Sequence, residues 1–267
     1  MLLGAAVLAG AAVWGGASVA RLARGPSGQK NLGRITDLDG VPLPLDPPAA
    51  LPPRDPALPW KDVGETLNDA SGLSQTPVYG VVAVTERRHV ADALAFARAN
   101  GLKVSMAAVR HSMGGHAFDD HALVLDMTGF NRIALNEADR AVTVEPGATW
   151  HQIQNLIHPR FAVKAMQSTD IFSVGGSVSV NAHGMDHQAG AIAGSIRRLE
   201  VMLADGSIVA CSHDQNAGLF RHVVGGYGLF GVILSAELEI VDNAVYQTSR
   251  EIIAGAGFPK YFEEKIA

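Results

Sequence analysis

Histidines and glycines occur together in one short stretch, Arg110 to Ala117, which lies between two apolar runs typical of β-strands. Gly114 and Gly115 lack a Cβ, so the backbone N–H groups of such a loop can approach a ligand closely. A diphosphate needs several such donors, and the guanidinium of Arg110 could offset its charge. The stretch therefore predicts a diphosphate-binding loop. The simpler alternatives are an ordinary glycine turn and a surface arginine.

A second stretch of glycines and small residues runs from Ser173 to Gly184. Its small side chains again allow close approach of the backbone, and we expect it to close over the same ligand. The run Gly226 to Gly231 matches the GxGxxG dinucleotide fingerprint, but that motif requires a strand before it and a helix after it. Here a predicted helix precedes the glycines and a strand follows, so we expect only a close backbone approach or a corner.

The histidines also raise the alternative of a metal site. His111, His116 and His121 recur every five residues, and His183 and His187 are four apart. Histidines at i and i+4 on a helix can share a zinc ion, but Gly184 makes a helix doubtful and no HExxH motif or cysteine pair accompanies them. We therefore predict no metal site, and a metal-dependent hydrolase is the weakest functional alternative.

Composition excludes other classes. The 267 residues carry a net charge of -5 with scattered Lys and Arg, which argues against a nucleic-acid partner. The single cysteine, Cys211, rules out an internal disulfide framework and any multi-cysteine metal or iron–sulfur site. We expect it to pack in a strand.

Residues 1–24 are predicted to be a signal peptide or a membrane anchor. Residues 2–20 are uncharged and just long enough to span about 30 Å of hydrocarbon as a helix. Arg21 and Arg24 follow this run rather than precede it, which favours an anchor with a cytoplasmic body. Small residues before Arg21 suit signal-peptidase cleavage and export instead. A membrane-anchored and an exported (periplasmic or extracellular) protein both remain open.

Residues 25–76 are predicted to be a proline-rich linker, because nine of the 13 prolines lie between Pro26 and Pro59. From Pro77 the patterns predict an α+β domain that starts with a β-α-β unit leading into the histidine-containing loop. The expected helices are 86–100, begun by Thr85 and stopped by Gly101, then 149–158 and 214–223. The expected strands are 78–84, 104–108, 122–126, 141–145, 198–203, 208–211 and 232–241, with Asp205-Gly206 as a hairpin turn.

Residues 77–243 resemble the FAD-binding domain of the vanillyl-alcohol oxidase superfamily, which has the PCMH-type fold. The resemblance rests on motifs in the family's order: Val109-Arg110-His111-Ser112, Leu123 to Met127, Val144 to Thr149, Ser173 to Ser177, Ala182-His183-Gly184, Ala204-Asp205-Gly206, Leu219-Phe220 and Gly225 to Ile233. Sugar-lactone oxidases, alditol oxidases, polyprenylphosphoryl-ribose oxidases and cytokinin dehydrogenases are the similar members. The resemblance implies an α+β fold of two α/β subdomains with FAD as cofactor. It assigns FAD binding to Val109, Arg110, His111, Ser112, Met113, Gly114, Gly115, His116, Ser173, Gly175, Gly176, Ser177, Asn181, His183, Gly184, Gly231, Val232 and Ile233.

The resemblance also implies individual roles. Several members carry FAD bonded through its 8α carbon to a loop histidine, and His111 occupies that position, with His116 as the second candidate. Other members bind FAD without a bond, so a histidine that only hydrogen-bonds within the loop is the alternative. Asp170 lies near the place of a catalytic aspartate in cytokinin dehydrogenases, although its spacing is shorter by two, and a helix-capping role competes. His183 resembles a flavin-contacting histidine.

Family members continue into a substrate (cap) domain, of which residues 244–267 are expected to be the start. We therefore expect an FAD-dependent oxidoreductase that oxidises a CH–OH group of a small sugar-like or polyol substrate by hydride transfer to flavin N5. A partner chain would then supply the cap domain. The alternative is a non-catalytic FAD-binding fragment or subunit.

Overall fold

The computed structural model describes residues 51–61 and 66–266. Its strands are β1 Trp60–Lys61, β2 Thr66–Leu67, β3 Thr76–Pro77, β4 Gly80–Ala83, β5 Val104–Ala107, β6 Leu123–Asp126, β7 Ile133–Asn136, β8 Ala141–Val144, β9 Phe161–Val163, β10 Ile196–Met202, β11 Ile208–Cys211 and β12 Val232–Asp242. Its helices are α1 Arg87–Ala99, α2 Trp150–Ile157, α3 Val174–Ser179, α4 Ala217–Val223 and α5 Phe258–Lys265. The mixture of helices and both parallel and antiparallel sheets confirms the predicted α+β class.

The first sheet has the strand order β1-β4-β6-β5, in which β4, β6 and β5 run parallel. The predicted β-α-β unit is confirmed: α1 connects β4 to β5 and buries Val90, Ala93, Leu94 and Ala97. These side chains recur at helical spacing and pack against the apolar strands. The helix begins one residue later than expected, with Glu86 at the cap position and no side-chain cap from Thr85.

The second sheet is antiparallel, with the order β11-β10-β12-β8-β7, and β9 pairs with the far end of β12. The predicted β10–β11 hairpin is confirmed, and its Asp205-Gly206 turn places Gly206 at a φ of 89°. One face of this sheet packs on α2, which buries Trp150 and Ile153. A capping box between Thr149 and Gln152 fixes the start of α2.

The strand β12 belongs to both cores. Val232 and Leu234 pack in the core of the first sheet, whereas Ile233 and Ala236 pack in the core of the second. Successive side chains of a strand point to opposite faces, which separates Ile233 from Val232 and Leu234. The pairing of β12 with β10 is irregular at Leu234, and this bulge turns Ala236 to the same core as Ile233. The two sheets are thereby joined along β12.

The packed structure begins before the boundary expected at Pro77. Leu58 and Leu67 are buried, β1 pairs with β4, and β2 pairs with β3. The proline content concealed these short strands, because proline suppresses the pattern by which strands are recognised. The last part of the expected linker is therefore an integral part of the domain.

Two of the sequence predictions concern the ends of the chain. Within residues 244–266 the helix α5 has no buried side chain. The apolar run 2–20 lies outside the described residues, and among those that are described no helix is long and apolar enough to cross a bilayer.

Candidate functional site

A cleft of about 580 Å³ opens where the two sheets meet. Three segments line it: β5 with the loop that follows, the start of α3, and the residues that lead into β12. This volume lies within the range of small-molecule and cofactor sites. The predicted site residues among its lining are Val109, Arg110, His111, Ser112, Met113, His116, Ser173, Gly175, Gly176, Ser177, Gly231, Val232 and Ile233.

The loop after β5 offers unpaired backbone donors. Within the described part of the chain, the backbone N–H groups of His111, Ser112, Met113 and Gly114 donate to no protein acceptor. Successive backbone N–H groups without a protein partner can form an anion site where they converge, and a diphosphate suits such a site. Arg110 begins this loop with a left-handed φ of 55°. The geometry therefore fits the diphosphate binding that the glycines predicted.

The two loop histidines each contact an aromatic ring. The His111 imidazole lies edge-on to Phe172, with ring centroids 5.6 Å apart, and is exposed at the cleft. His116 lies 5.5 Å from the ring of Tyr227 on the opposite segment. Both side chains are thus held by packing and leave nitrogen atoms available. The site accordingly has two exposed imidazoles on its surface, those of His111 and His116.

Asp69 is a site residue that the sequence interpretation missed, because it lies in the expected linker. Its side chain is buried, with 6% exposed, and its carboxylate accepts hydrogen bonds from the Gly115 N–H at 2.7 Å and from Ser112 Oγ at 3.2 Å. Burial by itself would raise the pKa of Asp69, but hydrogen bonds from Ser71, Gly115 and Ser112 outweigh it and lower the pKa below its ordinary value. The one available signal was the Asp69-x-Ser71 pattern, which is typical of a turn closed by its own aspartate.

The first half of the second glycine-rich stretch forms the helix α3. A Cβ on Gly175 would lie 2.6 Å from Pro146 Cβ and 3.0 Å from its carbonyl oxygen. One on Gly184 would lie 2.4 Å from the carbonyl oxygen of Met166. These glycines are therefore required by internal packing, and Gly175 and Gly176 also leave one wall of the cleft without side chains.

Gln167 is a second residue that the sequence interpretation missed. It lines the cleft, and its amide oxygen accepts hydrogen bonds from the indole N–H of Trp150 at 2.9 Å and from Ser177 Oγ at 2.8 Å. Trp150 and Ser177 are almost fully buried. No periodic or motif signal distinguishes Gln167, because its position depends on the fold of residues that are distant in sequence.

Several predicted residues do not line the cleft. Asp170 pairs with His151, at 2.7 Å between Oδ2 and Nδ1, and lies outside the cleft lining. His183 is exposed and contacts the carbonyl oxygen of Gly184. Asn181 adopts a φ of 47° and accepts from the Ala193 N–H. These residues shape the connection after α3, and Gly114 and Gly115 complete the histidine-containing loop without lining the cleft.

Metal ligands do not converge within the described residues. Nowhere among residues 51–61 and 66–266 do three His, Cys, Asp or Glu side chains form a group that could hold an ion. Cys211 is buried in β11, and burial raises the pKa of its thiol. The metal-dependent hydrolase is therefore not supported by this geometry.

Comparisons with known proteins agree with this site. The FAD binding domain family matches residues 78–212, which is half of the chain. The chain is similar to decaprenylphosphoryl-beta-D-ribose oxidase of Mycolicibacterium smegmatis, with 33% identity over 48% of this chain and 29% of the relative. It is also similar to D-arabinono-1,4-lactone oxidase of Yarrowia lipolytica, with 31% identity over 42% and 22% respectively. Cytokinin dehydrogenase 2 of Arabidopsis thaliana is 24% identical over 68% of this chain and 37% of the relative.

These matches span well under half of each relative's length. The family match covers two of the segments that build the cleft, the histidine-containing loop and α3. The free N–H groups after β5 and the glycine wall at Gly175 and Gly176 fit a flavin dinucleotide. The chain therefore belongs to the FAD-linked oxidase family with a PCMH-type FAD-binding domain, and its cofactor is FAD.

Proposed function

We propose that this chain is the cofactor-binding part of an FAD-dependent oxidoreductase that oxidises a CH–OH group of a small sugar-like or polyol substrate. The observation that carries the proposal is the cleft lined by His111, Ser112 and Met113, whose backbone N–H groups, with that of Gly114 beside the cleft, donate to no described protein acceptor. Relatives named as a ribose oxidase and a lactone oxidase support the substrate class. When bound, FAD supplies an acceptor for the hydride of the substrate at N5.

The residues of this chain would hold and orient the cofactor. The N–H groups of residues 111–114 would bind the diphosphate, and Arg110 would offset its charge. His111 is the proposed site of a covalent bond to the 8α carbon, because a neutral imidazole is a good nucleophile near pH 7 and this one is exposed at the cleft. His116, which packs against Tyr227, is the second candidate.

A base for the hydroxyl proton of the substrate is expected to come from outside the described residues 51–61 and 66–266. The carboxylate in the cleft lining is that of Asp119, which is paired with Lys103 at 2.8 Å, and Asp170 lies elsewhere. The rim of the cleft exposes apolar side chains, including Met113 at 69% and Leu229 at 82%. We propose that a cap domain, from a longer chain or from a partner chain, covers this rim and supplies the base. Exposed apolar rims of this kind mark interaction sites.

The pairing of Asp119 with Lys103 also favours a second candidate function. In this alternative the chain is an FAD-binding module that catalyses no reaction of its own. Besides Asp119, the side chains of the described lining that could accept a proton include the imidazoles of His111 and His116, and both are proposed here to serve the cofactor. A module of this kind would bind FAD, but the bound FAD would not be reduced by a CH–OH donor.

The apolar segment 2–20 supports a further proposal, that the protein is membrane-anchored or exported. Cell fractionation with a C-terminal tag tests it. Recovery of the tagged protein in the membrane pellet or the exported fraction is expected, and recovery only as an untethered cytoplasmic protein would reject it.

The decisive experiment is the visible spectrum of the purified protein, followed by acid precipitation and by assay with sugar, lactone and polyol donors. The proposal predicts a flavin spectrum, colour retained by the precipitated polypeptide, and bleaching by a CH–OH donor once a cap-domain chain is supplied. Flavin binding without bleaching by any donor under those conditions would favour the module. A protein that takes up no FAD would reject both candidates.

A further inference from the structure

The segment Asn68–Ser74 is hydrogen-bonded to the histidine-containing loop at both ends of that loop. At one end, the Ala70 N–H donates to the carbonyl oxygen of Arg110 at 2.8 Å. At the other, Asp69 Oδ2 accepts from the Gly115 N–H at 2.7 Å and from Ser112 Oγ at 3.2 Å. The residues between these two anchors are those whose N–H groups have no protein acceptor.

The carboxylate of Asp69 is itself held in place. Its Oδ1 accepts from the N–H and the hydroxyl of Ser71. Asn68 Oδ1 accepts from the backbone N–H groups of Asp69 and Ser74, at 2.9 and 3.1 Å. A buried carboxylate is stable only when its oxygens are hydrogen-bonded, and here both are. The loop is therefore bound to a preorganised group rather than to a mobile side chain.

The loop benefits from such anchors because its first residue, Arg110, has an unfavourable backbone conformation. Arg110 has a φ of 55° and Gly115 a φ of 70°, and the left-handed region is disfavoured for a residue with a side chain. Ser74 packs so tightly on Gly115 that a Cβ there would lie 2.6 Å from Ser74 Cβ. The bonds to Asp69 and Ala70 fix both ends of the stretch that carries the free N–H groups.

We propose that Asp69 is a positioning residue of the FAD site: it fixes the loop 110–115 so that the N–H groups of residues 111–114 converge on the diphosphate before FAD binds. This inference rests on the proposed function and deepens it. Asp69 acts through the loop, because its hydrogen-bonding capacity is taken up by Ser71, Ser112 and Gly115.

The test compares Asp69→Asn with Asp205→Asn in the full chain. Asp205 makes the same local turn, accepting from the N–H and hydroxyl of Ser207, but it lies in the β10–β11 hairpin outside the cleft lining. A carboxamide has one accepting oxygen where the carboxylate has two, so Asp69→Asn cannot keep all of the bonds. Hydrogen exchange at residue resolution, without FAD, reports directly on the Gly115 and Ala70 amides. Titration of flavin fluorescence then gives the Kd for FAD.

For Asp69→Asn we expect about tenfold faster exchange at Gly115 and Ala70 and about tenfold weaker FAD binding, in line with hydrogen bonds to a charged group. For Asp205→Asn we expect faster exchange at Ser207 and a Kd within about twofold of the original protein. The absorption maximum of bound FAD is expected to shift in the first variant and not in the second.

Unchanged exchange at Gly115 together with an unchanged Kd in Asp69→Asn would overturn the inference, as would faster exchange spread evenly over the whole domain. If Asp69→Asn does not fold, Ser112→Ala removes one loop bond and is judged by the same two measurements with a smaller expected effect. If the original protein binds no FAD, the proposed function fails. The exchange rates at Gly115 and Ala70 then still decide whether Asp69 holds the loop.

Discussion

The indole nitrogen of Trp150 lies 2.9 Å from the amide oxygen of Gln167 and equally far from Ser177 Oγ. An indole N–H is a donor only, so the carboxamide of Gln167 must present its oxygen to Trp150. Ser177 completes the group by contacting the Gln167 oxygen and the carbonyl oxygen of Ser173. This buried network ties α2 to the wall of the cleft.

We expect Ser177→Ala to lower the free energy of unfolding by about 1–3 kcal/mol, because it leaves buried polar partners short of hydrogen bonds. Ser179→Ala is the matched control in the same helix, since the Ser179 hydroxyl contacts only the Gly175 carbonyl oxygen. A change within about 0.5 kcal/mol is expected for the control. Urea unfolding of both variants measures the difference, and equal losses would show that the network adds nothing specific.

His111→Ala is expected to abolish acid-stable attachment of flavin, since it removes the exposed imidazole at the cleft. His116→Ala is the control, because His116 packs against Tyr227 in the same loop region. Absorbance at the flavin maximum in acid-precipitated protein measures attachment. If the flavin colour stays with the polypeptide in His111→Ala and is lost from it in His116→Ala, then His116 and not His111 is the attachment site.

Gly231→Ala is expected to destabilise the protein by about 1–3 kcal/mol, because φ is 138° and a Cβ would lie 2.6 Å from Val201 Cγ1 and 2.8 Å from the Met202 carbonyl oxygen. Weaker FAD binding should accompany this loss, since Gly231 lines the cleft. Gly194→Ala is the control, with no atom within 4 Å of the added carbon and no positive φ. Thermal unfolding and FAD titration of both variants provide the measurements, and a fully tolerated Gly231→Ala would contradict the close packing seen here.

The pH dependence of stability should contain a contribution from Asp126, which pairs with Lys61 between β6 and β1. Burial alone would raise the pKa of Asp126, but hydrogen bonds from Lys61 and Thr128 outweigh it and lower the pKa. A carboxyl group with a lowered folded-state pKa stabilises the protein above its unfolded value, near 3.8, and loses this stabilisation as the pH falls through the folded-state pKa.

Asp126→Asn is therefore expected to be less stable than the original protein at pH 7 and to lose less stability on acidification below about pH 4. Urea midpoints measured at pH 7, 5, 4 and 3 test this expectation. Parallel curves for the two proteins would indicate that Asp126 makes no pH-dependent contribution.

The features that were predicted correctly from the sequence are those that depend on apolar periodicity and on the chemistry of neighbouring residues. The β-α-β unit, the β10–β11 hairpin and the long strand β12 followed from apolar spacing and from the Asp205-Gly206 pair, and the structure confirms them. The histidine-containing loop was recognised because glycines and histidines cluster between strands. Patterns of this kind arise from residues that are close together in the sequence, so they can be recognised from one sequence alone.

The remaining features depend on contacts between distant residues. Asp69 stabilises a loop more than forty positions later in the chain, and its proline-rich surroundings gave no sign of a packed segment. Asp170 was expected beside the cofactor from motif spacing alone; its contact with His151 and its position outside the cleft lining depend on the fold and could not be predicted from the sequence. In the helix α3, glycines that locally disfavour a helix are required by close contact with Pro146.

The packing of the strand β12 in both cores affects how the domain unfolds. Since Val232 and Leu234 pack with the first sheet while Ile233 and Ala236 pack with the second, neither layer can open without removing support from the other. The domain should therefore melt in one cooperative transition, with equal calorimetric and van't Hoff enthalpies. Because Val232 and Ile233 also line the cleft, a ligand bound there would protect both layers at once, and slow amide exchange would spread outward along this strand.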